Sequence, residues 1–167
     1  QEKWISDDFD INKRNILIMD DRKEIISSMI DDLKSLSESI IFNLDYYNII
    51  SVSTKMAGFY VMDILEKAPD VEIHYALLDI ILGGKRVIDE KRRMIDGVDV
   101  AINIYKQYPG AEILFFSGCI IENSNDPSHF KNKFNKFTNE DIRDHIMSKD
   151  ISFEEELVQL STFFHGY

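Results

Sequence analysis

The chain has 167 residues, of which 44% are hydrophobic and 29% charged, as in an ordinary globular domain with a full hydrophobic core. Thirty acidic and nineteen basic residues give a net charge of −11, which argues against a basic surface for nucleic acid. A single cysteine excludes an internal disulfide, and no apolar stretch is long enough to span a membrane, so we expect a cytoplasmic location.

The first part of the chain leads into a predicted buried strand. Residues 1–14 are polar and acidic without a sustained period, and we interpret them as a lead-in to one domain spanning residues 15–167. The apolar run at 15–19 predicts a strand, and it stops at the acidic pair Asp20 and Asp21.

Helix and strand patterns then alternate towards the middle of the chain. Apolar side chains recur every three or four positions over 22–41, which predicts an amphipathic helix. A β-branched run at 47–54 predicts a strand, and a second helix follows over 55–67. The run at 73–82 predicts a strand buried on both faces, with a single carboxylate, Asp79, near its end. Taken alone, this residue would more often be only a cap for the next loop.

A charged segment, residues 83–95, follows this strand and is longer than the usual connection between a strand and a helix. We expect it to form a solvated loop. Asp96 and Gly97 then begin a third predicted helix, and the next strand, at 111–116, ends at Ser117.

The last third of the chain contains a second long segment at 119–144, with three phenylalanines on one face of a predicted helix: Phe130, Phe134 and Phe137. Packing of this helix on the body is favoured over docking of a partner. A short strand is predicted at 144–148, directly before Lys149, and a capping box begins the last helix at 152–164.

Five alternations of strand and helix predict a doubly wound α/β fold with a five-stranded parallel sheet. The carboxyl ends of its strands share one edge, which would collect the polar residues at four strand ends: Asp20, Asp21, Asp79, Ser117 and Lys149. Clustered carboxylates repel one another unless a cation intervenes, so the set indicates a hard divalent metal such as Mg²⁺.

These residues carry a resemblance to a known family. Five short motifs occur in order: Ile-Leu-Ile-Met-Asp-Asp at 16–21, Leu-Leu-Asp at 77–79, Asp-Gly at 96–97, Phe-Phe-Ser-Gly at 115–118 and Ile-Met-Ser-Lys at 146–149. Over roughly 15–165 the sequence resembles the receiver domain of two-component response regulators. The resemblance implies a three-layer flavodoxin-like fold with strand order 2-1-3-4-5, and the segments 83–95 and 119–144 are enlarged relative to it.

The resemblance also implies roles for the strand-end residues. Asp79 would be the phosphoacceptor, while Ser117 and Lys149 would contact phosphoryl oxygens. Asp20, Asp21, Asp79 and the backbone carbonyl of Ile81 would hold Mg²⁺.

The resemblance implies that the partner of this chain is a histidine kinase or a histidine phosphotransfer protein. The output partner is unknown, a homodimer is left open, and neither nucleic acid nor a membrane is an expected partner. The chain would not act on a separate substrate but would catalyse its own phosphorylation and slow dephosphorylation. By the resemblance, the positions of Ile81 and Cys119 tune phosphoryl loss, and neither side chain can orient a water molecule well.

Three departures from the pattern concern the signalling surface. Asp150 replaces the proline that usually follows the lysine in a cis peptide, and Ile146 replaces an aromatic residue linked to switching. The third departure is the two enlarged segments.

Two alternative functions remain open at this point. The chain would be a pseudo-receiver if it served only as an interaction module. A phosphatase of the haloacid dehalogenase type would need a second Asp two residues after its nucleophile, whereas Arg22 follows Asp20 and Ile81 follows Asp79 at that spacing.

Overall fold

The computed structural model describes residues 8–38, 42–54, 56–80, 87–88, 94–117 and 128–165. Its main sheet has five parallel strands, numbered here in chain order: β1 (Arg14–Met19), β2 (Tyr47–Val52), β3 (Tyr75–Leu78), β4 (Glu112–Ser117) and β5 (Ile146–Ser148). Their spatial order is 2-1-3-4-5, and every neighbouring pair is parallel. The predicted doubly wound α/β fold is confirmed.

Two layers of helices cover this sheet. The described residues contain five α-helices: α1 (Lys23–Ser37), α2 (Ala57–Lys67), α3 (Gly97–Gln107), α4 (Ser128–Thr138) and α5 (Phe153–His165). α1 and α5 pack on one face of the sheet, and α2, α3 and α4 pack on the other. None of the helices described is both long and apolar enough to cross a bilayer.

Strand β1 explains how the site is positioned. Successive side chains of a strand point to opposite faces, and here Ile16 and Ile18 pack under α1 while Leu17 and Met19 pack on the other layer. All four are buried because β1 has a strand on each side and helices above and below. The residue that follows, Asp20, therefore leaves the sheet beside β3, which is the central strand.

Some predicted boundaries were wrong. The first helix ends at Ser37 rather than near residue 41, and β5 begins at Ile146 rather than residue 144. The side chain of Asp141 accepts a hydrogen bond from the Arg143 N–H and begins a 3-10 turn over Ile142–His145, so the two residues before β5 cannot extend the strand.

The segment predicted as a loop at 83–95 contains a short antiparallel pair, in which Val87–Ile88 is bonded to Met94–Ile95. The remaining residues of this segment and residues 118–127 lie outside the described part.

Helix α4 packs on the body, as its phenylalanine spacing predicted. Phe134 is fully buried, and its ring meets the ring of Phe115 in β4 edge-on at 5.6 Å between centroids. Phe137 lies at the margin, 41% exposed, and stacks against Tyr105 of α3. The same face therefore supplies one core residue and one surface residue.

Candidate functional site

The carboxyl ends of β1 and β3 bring three acidic side chains together. Asp20 and Asp21 directly follow β1, and Asp79 directly follows β3. The Asp79 N–H donates to the Met19 carbonyl at 2.9 Å, which extends the pairing of the two strands to the site. Each of the three side chains offers a carboxylate oxygen, and these oxygens lie within 4.8 Å of one another. The parallel register thus makes one cluster from residues far apart in sequence.

A lysine from the end of β5 bridges two of these acids. The Nζ of Lys149 donates to Asp20 Oδ2 at 3.0 Å and lies 3.3 Å from Asp79 Oδ1. The same ammonium lies 5.2 Å from the centre of the Phe116 ring, where a cation is attracted by the ring face. No described peptide bond is cis, so the bond between Lys149 and Asp150 is trans.

The charges of the cluster are not balanced. Asp20 and Asp79 are both buried, and one ammonium faces three carboxylates. Burial is the largest cause that raises the pKa of Asp79, to about 7, with Asp20 and Asp21 adding to the rise and Lys149 opposing it. Burial also raises the pKa of Asp20. The site therefore favours either proton uptake or a further cation.

Solved structures with the same fold identify the architecture. The chain is similar to a signal receiver domain of an HD domain-containing protein from Pseudomonas fluorescens Pf-5, with a TM-score of 0.58 and 15% identity over 92% of this chain and 96% of that chain. It is also similar to a CheY-like response regulator receiver domain protein from Methanospirillum hungatei JF-1, with a TM-score of 0.53 and 19% identity over 92% and 95% of the two chains. This chain has the receiver-domain fold.

The chain is also similar to part of a longer protein. The response regulator RcsB of Salmonella typhimurium matches with a TM-score of 0.57 and 15% identity over 92% of this chain, which spans 60% of the RcsB chain. No established sequence family matches the chain, and no curated protein does. At these identities the likeness is one of fold.

The acidic cluster of this receiver fold could hold a metal ion. Its donors are carboxylate oxygens, the ligands that hard cations such as Mg²⁺ and Ca²⁺ prefer. In an octahedral shell with metal–oxygen bonds of roughly 2.1 Å, neighbouring and opposite ligands lie about 3 to 4 Å apart. The observed spread of up to 4.8 Å needs only small side-chain adjustments to reach that geometry. The donor set therefore fits a hard divalent cation.

Of the other predicted site residues, the structure describes the backbone of Ser117 but not Ile81 or Cys119. Ser117 is the last residue of β4, and its Cα pairs with that of Ser148, directly before Lys149. The backbone thus places Ser117 on the same edge of the receiver fold as the acids. Ile81 and Cys119 lie outside the described residues, so the proposed metal-ligand carbonyl and the expected slow dephosphorylation stay predictions.

The sequence reasoning missed a second charged cluster beside the site. Lys133 of α4 lies 2.6 Å from Asp96 Oδ2 and 2.9 Å from Asp99 Oδ1, both at the start of α3. Burial is the largest cause that raises the pKa of Asp96, and the hydrogen bond from Lys133 opposes it. The only signal in the sequence was that Asp96 opens α3; nothing pointed to a lysine 37 residues later as its partner.

Proposed function

We propose that this chain is the phosphoacceptor receiver domain of a two-component phosphorelay, with Asp79 as the phosphorylated residue. The observation that supports this most strongly is the convergence of Asp20, Asp21, Asp79 and Lys149 at the carboxyl edge of a receiver fold. Each residue type suits phosphoryl transfer, because carboxylates hold Mg²⁺ or attack phosphorus and an ammonium offsets the charge of phosphoryl oxygens.

In the proposed reaction, a carboxylate oxygen of Asp79 attacks the phosphorus of a phosphohistidine. The new P–O bond makes an acyl phosphate, while the P–N bond breaks and its electron pair stays on the imidazole nitrogen. Lys149 Nζ, 3.3 Å from Asp79 Oδ1, then pairs with a phosphoryl oxygen. Ser117 would donate to another oxygen. Mg²⁺, held by Asp20, Asp21 and Asp79 with the Ile81 carbonyl, would neutralise charge on the transferring oxygens.

Phosphorylation would switch a protein-interaction surface near β4 and α4. The phosphoryl group adds negative charge and acceptor oxygens, which draw hydroxyl and ammonium donors towards Asp79. Ser117 ends β4, and two residues earlier Phe115 packs against Phe134 of α4. A shift at the end of β4 would therefore reach α4 through a packed core contact and bias two arrangements of that face.

The phosphoryl donor in this proposal is a histidine kinase or a histidine phosphotransfer protein. RcsB interacts with DNA, but this chain spans 60% of RcsB, and its net charge of −11 argues against nucleic acid as a partner. The output partner is a protein of unspecified type. After transfer, the chain would hydrolyse its own acyl phosphate slowly.

The decisive experiment is incubation of the chain with Mg²⁺ and acetyl phosphate, followed by intact mass analysis. We expect one phosphoryl adduct on the wild type, none on Asp79→Asn, and none after chelation of the metal. Asp31→Asn is the matched control, because Asp31 is an exposed carboxylate on α1. An adduct that persists in Asp79→Asn would contradict the assignment of the phosphoacceptor.

A second arm of this experiment tests the alternative of an unphosphorylated interaction module. Beryllofluoride mimics the phosphoryl group, so we expect it to shift amide resonances of β4 and α4 in the wild type but not in Asp79→Asn. A wild type that neither gains mass nor responds to beryllofluoride would favour the pseudo-receiver. A phosphoryl lifetime of seconds in Mg²⁺ buffer would contradict slow dephosphorylation.

A further inference from the structure

The N-terminus of α3 lies directly against the main chain that carries Asp79. The Gly97 N–H donates a hydrogen bond of 2.7 Å to the Ile80 carbonyl. A Cβ atom at residue 97 would overlap the Asp79 carbonyl oxygen, so only glycine allows this approach. The first turn of α3 is therefore in direct contact with the backbone of Asp79 and Ile80.

That first turn is held by two carboxylates and one lysine. Asp99 N–H donates to Asp96 Oδ1 at 2.9 Å, and Asp96 N–H donates to Asp99 Oδ2 at 3.1 Å, which forms a capping box. The remaining oxygen of each carboxylate contacts the ammonium of Lys133. The three side chains are 19–27% exposed, so water screens the contacts only in part. Without the ammonium, the two carboxylates would repel each other at the end of the helix.

Lys133 joins this turn to the helix at the proposed switching surface. The next residue of α4, Phe134, is fully buried against Phe115 of β4. α4 therefore contacts the start of α3 through Lys133 and β4 through Phe134, in addition to the stacking of Phe137 on Tyr105. Residue 146 is isoleucine here, whereas the resembling domains have at this position an aromatic residue that is linked to switching. The contact of Lys133 with Asp96 and Asp99 does not involve this position.

We propose that Lys133 is a positioning residue for Asp79, which holds the Asp79–Ile80 main chain through the first turn of α3. The geometry of the phosphoacceptor and the position of α4 are coupled through this contact. This inference rests on the proposed function, because it concerns the reactivity of the same carboxylate. A displaced α4 would loosen the Asp79 backbone, and a bound phosphoryl group would act on α4 by the same route.

The test compares Lys133→Met with Lys136→Met, since Lys136 is exposed on the same helix. By hydrogen exchange without any phosphoryl donor, we expect the Gly97 amide to exchange about 10-fold faster in Lys133→Met. Leu33 is a buried residue of α1, and its amide exchanges by global unfolding. Its exchange rate should therefore change less than that of Gly97. Lys133→Arg should restore protection, because its guanidinium can pair with both carboxylates.

A kinetic arm measures the initial rate of phosphorylation by acetyl phosphate in Mg²⁺. We expect Lys133→Met to be about 5-fold slower with Lys136→Met unchanged, because a misplaced nucleophile reacts more slowly. Unchanged Gly97 exchange, or an equal change in Gly97 and Leu33, would overturn the proposal. So would a wild-type rate in Lys133→Met. Failure of the proposed function would instead appear as no adduct on the wild type, and the exchange arm would still decide the role of Lys133.

Discussion

At the amino edge of the sheet, the buried side chain of Asn15 is neutral and is hydrogen-bonded through both its amide nitrogen and its oxygen. The side-chain amide of Asn15 donates to the Glu72 carbonyl at 2.8 Å and its oxygen accepts from Asn48 Nδ2 at 2.8 Å. Its backbone N–H donates to His74 Nδ1 at 2.9 Å. At the carboxyl edge, three carboxylates share one ammonium, and burial and mutual repulsion raise the pKa of Asp79.

Buried polar groups therefore have different effects on stability at the two edges. A neutral, satisfied network stabilises the fold because no group loses its hydrogen bonds on burial. An unbalanced group of charges costs stability unless a ligand or a proton completes it. We therefore expect substitutions at the two edges to change stability in opposite directions.

The largest expected effect is the pH dependence contributed by Asp79. Its pKa is 3.8 in the unfolded chain and about 7 in the folded protein, so the folded state binds the proton more tightly. In metal-free buffer this contribution destabilises the fold progressively as pH rises from about 4 to 7, by about 4 kcal/mol in total. Asp79→Asn should therefore match the wild type near pH 4 and exceed its free energy of unfolding by about that amount at pH 8.

Urea denaturation of both proteins across this pH range measures the difference. Asp31→Asn, a change of the same type at an exposed position, should show no comparable trend. Saturating Mg²⁺ should reduce the advantage of Asp79→Asn at pH 8, because the cation binds the folded wild type. If the difference in the free energy of unfolding between the wild type and Asp79→Asn did not vary with pH, the carboxylate of Asp79 would not destabilise the fold.

The next effect is at the amino edge, where we expect loss of stability. Asn15→Ala leaves the Glu72 carbonyl without this donor and removes one of the two acceptors of the Asn48 amide, so it should lower the free energy of unfolding by about 2 kcal/mol. The loss should be similar from pH 5 to 8, because the two bonds of the Asn15 side chain join it to a backbone carbonyl and an amide, neither of which titrates. Asn12→Ala, at an exposed position, should change it by less than about 0.5 kcal/mol. Any gain in stability in Asn15→Ala would refute the contrast between the edges.

Removal of Lys149 should make metal binding tighter. Its ammonium lies 3.0 Å from Asp20 Oδ2 and 3.3 Å from Asp79 Oδ1, so it repels an incoming cation. By calorimetry at about pH 9, where protons do not compete, we expect Lys149→Met to bind Mg²⁺ about 10-fold more tightly. Lys34→Met, which removes an exposed charge from α1, is the control. Weaker binding in Lys149→Met would mean that the lysine arranges the acids instead of competing with the metal.

The smallest effect concerns His74. Burial lowers its pKa below the model-peptide value of 6.5, and its Nδ1 must be unprotonated to accept from the Asn15 N–H. The stability that this bond supplies is complete above pH 6.5 and is lost as pH falls towards the lowered pKa. His74→Asn keeps an acceptor but does not titrate there. It should match the wild type at pH 8 and be more stable than the wild type at pH 5. Equal pH profiles would contradict this.

The placement of polar residues at the strand ends was the most predictable feature of the chain. Asp20, Asp79 and Lys149 each follow an apolar run, and parallel strands must present their carboxyl ends at one edge. Their meeting therefore followed from topology, without knowledge of side-chain conformations. Their distances and burial did not follow, because these depend on the packing around the cluster.

Contacts between helices were not predictable in the same way. The pairing of Lys133 with Asp96 depends on the separation and rotation of α3 and α4, which hydrophobic spacing alone does not determine. The start of β5 was misplaced because Asp141 bonds its own backbone locally and begins a turn. The apolar pattern determined the type of each element. Polar side chains then determined the contact between α3 and α4 and the first residue of β5.

The contact between Lys149 and Asp20 also has a consequence for synthesis of the protein. The two residues are separated by 129 positions, so the acids are made long before the lysine that partly neutralises them. At translation rates of about 5–20 residues per second, the ribosome adds Lys149 several seconds after Asp79. During that interval the ammonium of Lys149 cannot offset the charges of Asp20 and Asp79. The ion pairs of the carboxyl edge therefore form only after the last strand of the sheet, β5, has been synthesised.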